Sequence, residues 1–247
     1  MTRTVLIVGA SSGIGAALAR AFARDGARVA LVARREAELA EQKRLCDELA
    51  GTNAARAYVH DVQRPAEVPE LFERIVRDFG GLDVVVYAAG YLPRIAKDEY
   101  DFAKDGPIIE VGLTGAVAWL NQAAAKFAKQ RFGTICGISS IAGDRGRRAF
   151  PAYHAAKAGL DTYLEALRNR LHPYKVDVVT IKPGFVDTVM TQGMDGLFWL
   201  ISPDQAATAI KKHIEKRRHT RYVPARWALV GLVIRNIPSF LFRRMDI

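Results

Sequence analysis

The sequence predicts an α/β protein whose doubly wound parallel sheet of about seven strands carries helices on both faces. Two observations support this fold class. Short apolar runs rich in β-branched residues, such as TVLIV at 4–8 and LDVVVY at 82–87, are typical of strands that are buried on both faces. Each run precedes a longer amphipathic segment, and a helix between consecutive strands is the usual connection in a parallel sheet.

The other elements follow in chain order. Further strands are predicted at 27–32, 55–59, 133–138, 175–181 and, as a seventh, within TRYVP at 220–224. Helices are predicted at 14–25, 35–50, 66–79, 101–130, 152–172 and 203–218. Because no linker, repeat or low-complexity tract interrupts this pattern, residues 1–224 are predicted to form one domain, followed by a basic amphipathic extension at 225–247.

The positive charge of the chain is concentrated near its C-terminus. Residues 211–247 contain ten lysines and arginines against two acidic residues, which accounts for +8 of the total +10. This segment contains no recognisable element that reads bases, so we expect no nucleic-acid partner. The apolar run before Gly9 is too short for a signal peptide, and Cys46 and Cys136 lack metal-binding or redox spacing. We therefore expect a cytoplasmic protein without a metal site.

The stretch GASSGIG at 9–15 links the first predicted strand to the first predicted helix. Glycines here allow a tight turn and let a phosphate approach the backbone, and the helix start offers free N–H groups and the positive end of its dipole. We therefore expect a Rossmann-type domain that binds a dinucleotide pyrophosphate through Gly9, Ser11, Ser12, Gly13, Ile14 and Gly15. The spacing differs from the commonest Rossmann fingerprint, so a structural glycine turn is the alternative.

The second predicted strand ends in ALVARRE, where NAD-binding domains have an acidic residue that holds the adenosine ribose. Ala33 and Arg34 stand at that place. An arginine suits the 2′-phosphate of NADP(H), so NADP(H) is the preferred cofactor and Arg34 a candidate ligand. If the arginine is only a solvated side chain, NAD(H) is the alternative.

Tyr153 and Lys157 are four positions apart in the alanine-rich segment AYHAAKAGL, so they share one face of a predicted helix. A neighbouring cation favours the ionised phenol, and we expect it to lower the tyrosine pKa from about 10. Such a tyrosine donates and accepts protons near neutral pH. A surface helix that carries both residues by chance is the alternative.

Six short motifs follow one another along the chain: VGASSGIG (8–15), HDV (60–62), YAAG (87–90), ISS (138–140), YHAAK (153–157) and KPGFVDT (182–188). In this order they resemble the cofactor loop, adenine turn, N-N-A-G motif, serine strand, catalytic pair and nicotinamide loop of the short-chain dehydrogenase/reductase family. Ser140 precedes Tyr153 by thirteen positions, a spacing that is typical of that family. The resemblance spans nearly the whole chain.

The resemblance implies an oxidoreductase that interconverts a carbonyl and a secondary alcohol by hydride transfer. It makes Tyr153 the general acid and base, Lys157 its partner and a ribose ligand, and Ser140 the residue that polarises the substrate oxygen. The remaining cofactor contacts that it implies are Asp61, Val62, Ala89, Gly90, Pro183, Gly184, Val186 and Thr188. By the same resemblance, helices 101–130 and 152–172 form a homodimer or homotetramer.

Two departures from the family pattern leave other functions open. Gly112 stands where many members carry an asparagine that holds a proton-relay water, and Tyr87 and Ala88 replace amide side chains that brace the sheet. These losses are the only support for a catalytically impaired dinucleotide-binding sensor. An NAD(P)-dependent epimerase or dehydratase is a further alternative, although such enzymes usually need a longer substrate domain.

The segment at 187–203 lies where family members have their variable substrate loop. Its Met190, Met194, Phe198 and Trp199 are expected to line an adaptable apolar pocket, which favours an apolar carbonyl or alcohol as substrate.

The extension contains the apolar run 227–234 between two arginines, which is too short to span a bilayer. It is suited to lie at a membrane surface with its cations toward anionic lipid. Packing against a second subunit or over the substrate pocket is the alternative.

Overall fold

A computed structural model describes residues 2–194 and 196–245 of the chain. Seven strands form one sheet in the order β3-β2-β1-β4-β5-β6-β7, and every neighbouring pair is parallel. The strands are β1 (Thr4–Val8), β2 (Arg28–Ala33), β3 (Ala55–Val59), β4 (Val84–Tyr87), β5 (Thr134–Ile138), β6 (Asp177–Pro183) and β7 (Thr220–Val223). The predicted fold class is confirmed.

Helices cover both faces of the sheet. They are α1 (Gly13–Arg24), α2 (Glu36–Ala50), α3 (Val68–Phe79), α4 (Phe102–Ile109), α5 (Gly115–Gln130), α6 (Pro151–Leu171), α7 (Pro203–Glu215), α8 (Trp227–Asn236) and α9 (Ser239–Phe242). Strand β1 shows why there are two cores, because its side chains alternate in direction. Val5 and Ile7 join the core under α1, α2 and α7, whereas Leu6 and Val8 join the core under α3, α5 and α6.

The single helix predicted at 101–130 is interrupted in the structure. Helices α4 and α5 are joined by a turn of π-helix at Glu110–Thr114. Pro107 cannot donate a backbone hydrogen bond, and Gly106, Gly112 and Gly115 have low helix propensity, so a regular helix is weakly specified here. π-Helical turns occur frequently at functional sites, and this one borders the cleft described below.

Helix α8 follows β7 and packs back on the domain through Trp227 and Gly231, both of which are buried. Among residues 2–194 and 196–245, none of the helices is both long and apolar enough to traverse a bilayer.

The direction in which successive strands are added to the sheet reverses between β1 and β4. Strands β2 and β3 lie on one side of β1, and β4 to β7 lie on the other. In doubly wound sheets a crevice opens at this point outside the carboxyl ends of the strands, and ligands bind there.

Candidate active site

A cleft of about 690 Å³ occupies this switch point. Nearly all residues expected from the sequence to bind cofactor or substrate line it: Gly9, Ser11, Ser12, Gly13, Ile14, Arg34, Asp61, Val62, Ala89, Gly90, Ser140, Tyr153, Lys157, Pro183, Gly184, Val186, Thr188, Met190 and Met194. Gly15, Phe198 and Trp199 do not line it. Residues from six motifs that are far apart in sequence therefore meet at one place.

The glycine loop is shaped by close packing against the end of β4. Gly9 has φ +91°, and a Cβ atom there would lie 2.5 Å from the backbone nitrogen of Ala89. A Cβ on Gly15 would lie 2.1 Å from the carbonyl oxygen of Gly9, so this glycine supports the loop from behind. No side chain at positions 9 and 15 fits without displacing the backbone.

The start of α1 is suited to hold phosphate groups. Ser12, the N-cap residue, makes no side-chain hydrogen bond to the first turn. The first N–H groups of the helix and the positive end of its dipole are thus left for an anion. Gly13 has φ +56° and faces the Thr188 side chain across the cleft. This loop therefore fits the pyrophosphate of a dinucleotide.

Two arginines border the adenosine end of the cleft. Arg34 lies 3.5 Å from the carboxylate of Asp61. Arg35 donates hydrogen bonds to the hydroxyl groups of Ser12 at 2.6 Å and Ser11 at 3.0 Å. Arg34 was expected from the sequence to lie here and Arg35 was not, although the adjacent arginines in VARRE were a signal for both.

Ser140, Tyr153 and Lys157 lie at the other end of the cleft. The Lys157 ammonium donates to the carbonyl oxygen of Ile138 at 3.0 Å, and its nitrogen is 5.6 Å from the centre of the Tyr153 ring. The Ser140 hydroxyl accepts a hydrogen bond from the backbone of Ala142 at 3.0 Å, which fixes its side chain at the start of a tight turn. The expected proximity of Tyr153 and Lys157 is therefore present.

The expected lowering of the Tyr153 pKa by Lys157 is wrong for this structure. Burial raises the pKa of Tyr153 above its ordinary value, and a hydrogen bond with Ser140 and the charge of Arg147 offset only part of this. Burial also lowers the pKa of Lys157 to about 8, against the opposing charge of Asp161. Both groups lose water, which disfavours both charged forms, and the ammonium is directed at a carbonyl group. Tyr153 is consequently protonated at neutral pH.

The two departures from the family pattern have structural consequences. The buried Tyr87 hydroxyl donates to the carbonyl oxygen of Val111 at 2.6 Å, so a phenol braces β4 against the π-helical turn. Gly112 lies in that turn, and a Cβ atom there would be 3.0 Å from the Cβ of Ala156. An asparagine at 112 therefore requires a small shift of α6.

The substrate residues expected from the sequence divide into two groups. Met190 and Met194 line the cleft, together with apolar residues that the sequence argument missed: Tyr91, Leu92, Pro107, Phe185 and Val189. Phe198 and Trp199 instead pack on Trp227 at centroid distances of 5.1 and 5.6 Å. The expectation that they line the pocket is therefore wrong. Aromatic contact with Trp227 holds both side chains against α8.

His60 is a further lining residue that the sequence argument did not select. Its ring is buried edge-on against Trp119 at 5.5 Å, and burial lowers its pKa. Within residues 2–194 and 196–245, neither ring nitrogen has a hydrogen-bond partner. From the motif HDV, only the two residues after His60 were expected to contact the cofactor.

Comparisons with known proteins identify the family. The family model described as short chain dehydrogenase matches residues 3–195. This chain belongs to the short-chain dehydrogenase family. An uncharacterized oxidoreductase of Mycobacterium tuberculosis is 33% identical over 243 residues, which cover 98% of this chain and 96% of the relative. Another from Myxococcus xanthus is 36% identical over 190 residues, covering 76% of this chain and 74% of the relative.

Solved structures of short-chain dehydrogenases have the same fold. The enzyme from Sphingobium yanoikuyae, in complex with NADPH, superposes with a TM-score of 0.82 at 27% identity, over 96% of this chain and 97% of the other. An NAD⁺-bound xylitol dehydrogenase superposes with a TM-score of 0.79 at 22% identity, over 88% and 95%, and shows the fold alone. Family membership and relatives named oxidoreductases make this short-chain dehydrogenase an enzyme.

Proposed function

We propose that this protein is an NADP(H)-dependent oxidoreductase that interconverts a carbonyl and a secondary alcohol on an apolar substrate. The observation that carries the proposal is the shared cleft, in which Ser140, Tyr153 and Lys157 lie with the glycine loop. A proton donor, a cation and a dinucleotide-binding loop in one cavity are the parts that hydride transfer to a carbonyl needs.

The arginines at the adenosine end support NADP(H) as the preferred cofactor. The place of the ribose-binding acid is taken by Ala33. Arg35 bonds to Ser11 and Ser12, and Arg34 lies beside Asp61 in the same cleft. Guanidinium and hydroxyl groups are suitable donors to a 2′-phosphate. A relative that is 27% identical binds NADPH. NAD(H) is the alternative cofactor of the same cleft.

The mechanism follows from the positions and protonation of the side chains. A nicotinamide cofactor held in this cleft would supply the hydride in reduction and accept it in oxidation. Tyr153, neutral because of burial, donates its proton to the carbonyl oxygen as negative charge develops there. Ser140 donates a second hydrogen bond to that oxygen. Lys157 contributes a ribose contact and, when charged, favours the phenolate that remains.

The lining near Tyr153 supports an apolar substrate. Met190 and Met194 present flexible thioether side chains to the cleft, and Leu92 and Phe185 add apolar surface.

By family resemblance, the protein assembles as a homodimer or homotetramer through α5 and α6.

Replacement of Tyr153 by phenylalanine tests the proposed function. We expect turnover of an apolar ketone with NADPH to fall by about 10²–10⁴, because the general acid is lost. Binding of NADPH, followed by its fluorescence, is expected to stay within about threefold of wild type. Tyr163→Phe is the matched control, since it removes a tyrosine hydroxyl group from the same helix, where that group donates to Asn121 at 2.8 Å.

Full turnover by Tyr153→Phe would show that this tyrosine is not the acid. Loss of NADPH binding by the same variant would instead reveal a damaged cleft. A wild-type protein that prefers NADH would remove the role proposed for the two arginines.

A further inference from the structure

Helix α8 presents an apolar face to the outside of the molecule. Its buried residues, Trp227 and Gly231, point toward the domain. Leu229, Leu232 and Val233 are exposed by 67%, 53% and 53%. The spacing of three and four residues places these side chains on one stripe of the helix. A contiguous exposed apolar stripe is a marker of an interaction surface.

The short helix α9 that follows adds two exposed apolar side chains, Phe240 and Leu241, at 58% and 45%. This part of the chain is firmly attached to the domain. The Arg145 guanidinium donates to the carbonyl oxygens of Ile234, at 2.8 Å, and Ile237, and lies 4.0 Å from the centre of the Phe242 ring. The exposed apolar side chains are therefore held in place by contacts on their inner side.

The charged residues of this segment of the chain all have the same sign. Between residues 216 and 245 the sequence contains eight lysines and arginines and no aspartate or glutamate. Arg243 and Arg244 are exposed directly after α9, whereas the Arg235 guanidinium turns back to the carbonyl oxygen of Gly231 at 3.3 Å. Apolar side chains flanked by cations match the acyl boundary and the phosphate layer of an anionic lipid leaflet.

We propose that this protein docks on anionic lipid membranes through a tail surface formed by Leu229, Leu232, Val233, Phe240, Leu241, Arg243 and Arg244. Each exposed apolar side chain would leave water, and each arginine near the leaflet would be attracted by its negative potential. This inference goes beyond the proposed function and requires no catalytic step.

A second copy of the chain is a poorer occupant of the same surface. A twofold interface pairs a patch with itself, so the arginines of one copy would face those of the other. No acidic side chain lies between residues 216 and 245 to compensate them. An anionic leaflet provides the opposite charge that the tail surface lacks.

The start of α8 packs against the variable loop at 187–203. Trp199 and Leu200, exposed by 43% and 44%, belong to the variable loop beside the start of α8. The Arg226 guanidinium lies 4.9 Å from the centre of the Trp199 ring. Docking would thus bring this loop close to the lipid.

Flotation of the full chain with vesicles tests the proposal. We expect wild type to float with vesicles of phosphatidylcholine and phosphatidylglycerol and to stay behind with phosphatidylcholine alone. Higher salt is expected to weaken binding, since it screens the arginines.

Two double variants separate the apolar and the charged contributions. Leu232→Ser with Val233→Ser, and Arg243→Gln with Arg244→Gln, are each expected to weaken vesicle binding by roughly tenfold or more. The matched controls change equally exposed residues elsewhere. Val59→Ser with Phe132→Ser removes apolar side chains exposed by 52% each, and Arg44→Gln with Arg64→Gln removes two exposed arginines, with no loss of binding expected.

Circular dichroism and NADPH binding verify that each variant is folded. The proposal is overturned if wild type floats with neither kind of vesicle, or if the controls weaken binding as much as the tail variants. It is also overturned if Leu232→Ser with Val233→Ser leaves flotation unchanged and instead lowers the molecular mass in solution, because the tail surface would then be a subunit interface.

Discussion

The ammonium group of Lys182 lies 2.6 Å from the carboxylate of Asp144, and both side chains are almost completely buried. The same ammonium is 2.9 Å from the carboxylate of Asp161, and the Tyr222 hydroxyl donates to Asp144 at 2.8 Å. Burial lowers the pKa of Lys182, but Asp161 and Asp144 raise it by a larger amount. The pKa of this lysine is therefore above its ordinary value. The lysine is charged at neutral pH.

This buried group of charges joins the segments that carry the active site. Asp144 ends the turn that begins at Ser140, Asp161 lies one helical turn beyond Lys157, and Lys182 immediately precedes Pro183. We therefore expect Lys182→Met to destabilise the fold by about 3–5 kcal/mol, because two buried carboxylates lose their cation. Urea unfolding measures this change.

Lys43→Met is the matched control, since Lys43 pairs with Asp47 at 2.6 Å but is 41% exposed. Its cost is expected to stay below about 1 kcal/mol. Equal costs for the two lysine variants would show that the buried charges contribute no more than a surface ion pair.

Local signals explain what the sequence could predict. The apolar runs located every strand to within two residues, because a strand buried on both faces needs such a run. The order of the motifs likewise predicted that the glycine loop, Ser140 and Tyr153 belong to one site. Each strand and each motif can be recognised from residues that are close in sequence.

Features that depend on tertiary burial were not predictable. The local sequence IKPGF does not indicate that Lys182 is buried in an ion pair, because its partner Asp144 is 38 positions away. The raised pKa of Tyr153 depends on how much water the folded cleft excludes. Phe198 and Trp199 lie outside the predicted pocket because they pack on Trp227, which is distant from them in sequence.

Replacement of Arg35 by alanine is expected to weaken NADPH binding by about tenfold or more, with a much smaller effect on NADH. The reason is the loss of a charge-assisted hydrogen bond to the 2′-phosphate, worth about 1.5–3 kcal/mol. Fluorescence titration of both cofactors measures the ratio. Arg44→Ala, on the outer side of α2 and 59% exposed, is the control. Equal weakening of both cofactors would contradict a specific phosphate contact.

The pH dependence of the two reaction directions is expected to differ. Carbonyl reduction needs the protonated Tyr153, and burial raises its pKa, so kcat/KM for reduction falls only at alkaline pH. Alcohol oxidation needs the phenolate and rises over the same range. Profiles of kcat/KM against pH in both directions test this, and a reduction rate that falls between pH 6 and 7 would contradict it.

Arg147 provides a separate check on that titration. Its charge lowers the pKa of Tyr153, so Arg147→Gln is expected to move the alkaline limb of both profiles to higher pH. Arg64→Gln, remote from the tyrosine, serves as the control. An unchanged limb would assign the titration to another group, of which Lys157, with a pKa of about 8, is the nearest candidate.

Gly184 allows the side chain of Trp227 to pack directly on the nicotinamide loop. A Cβ atom at position 184 would lie 2.0 Å from the indole nitrogen, so Gly184→Ala must displace either the ring or the loop. We expect a loss of about 1–3 kcal/mol in the free energy of unfolding, as for other overpacked sites. Gly146→Ala is the control, because a Cβ there meets nothing within 4 Å.

A double-mutant cycle with Trp227→Leu tests whether this contact is the cause. The single change to leucine removes a large buried ring and is expected to cost about 3 kcal/mol. In the double variant, the smaller leucine side chain leaves room for the added methyl group, so the cost of Gly184→Ala should largely disappear. Costs that simply add would show that the strain arises within the loop itself and does not involve α8.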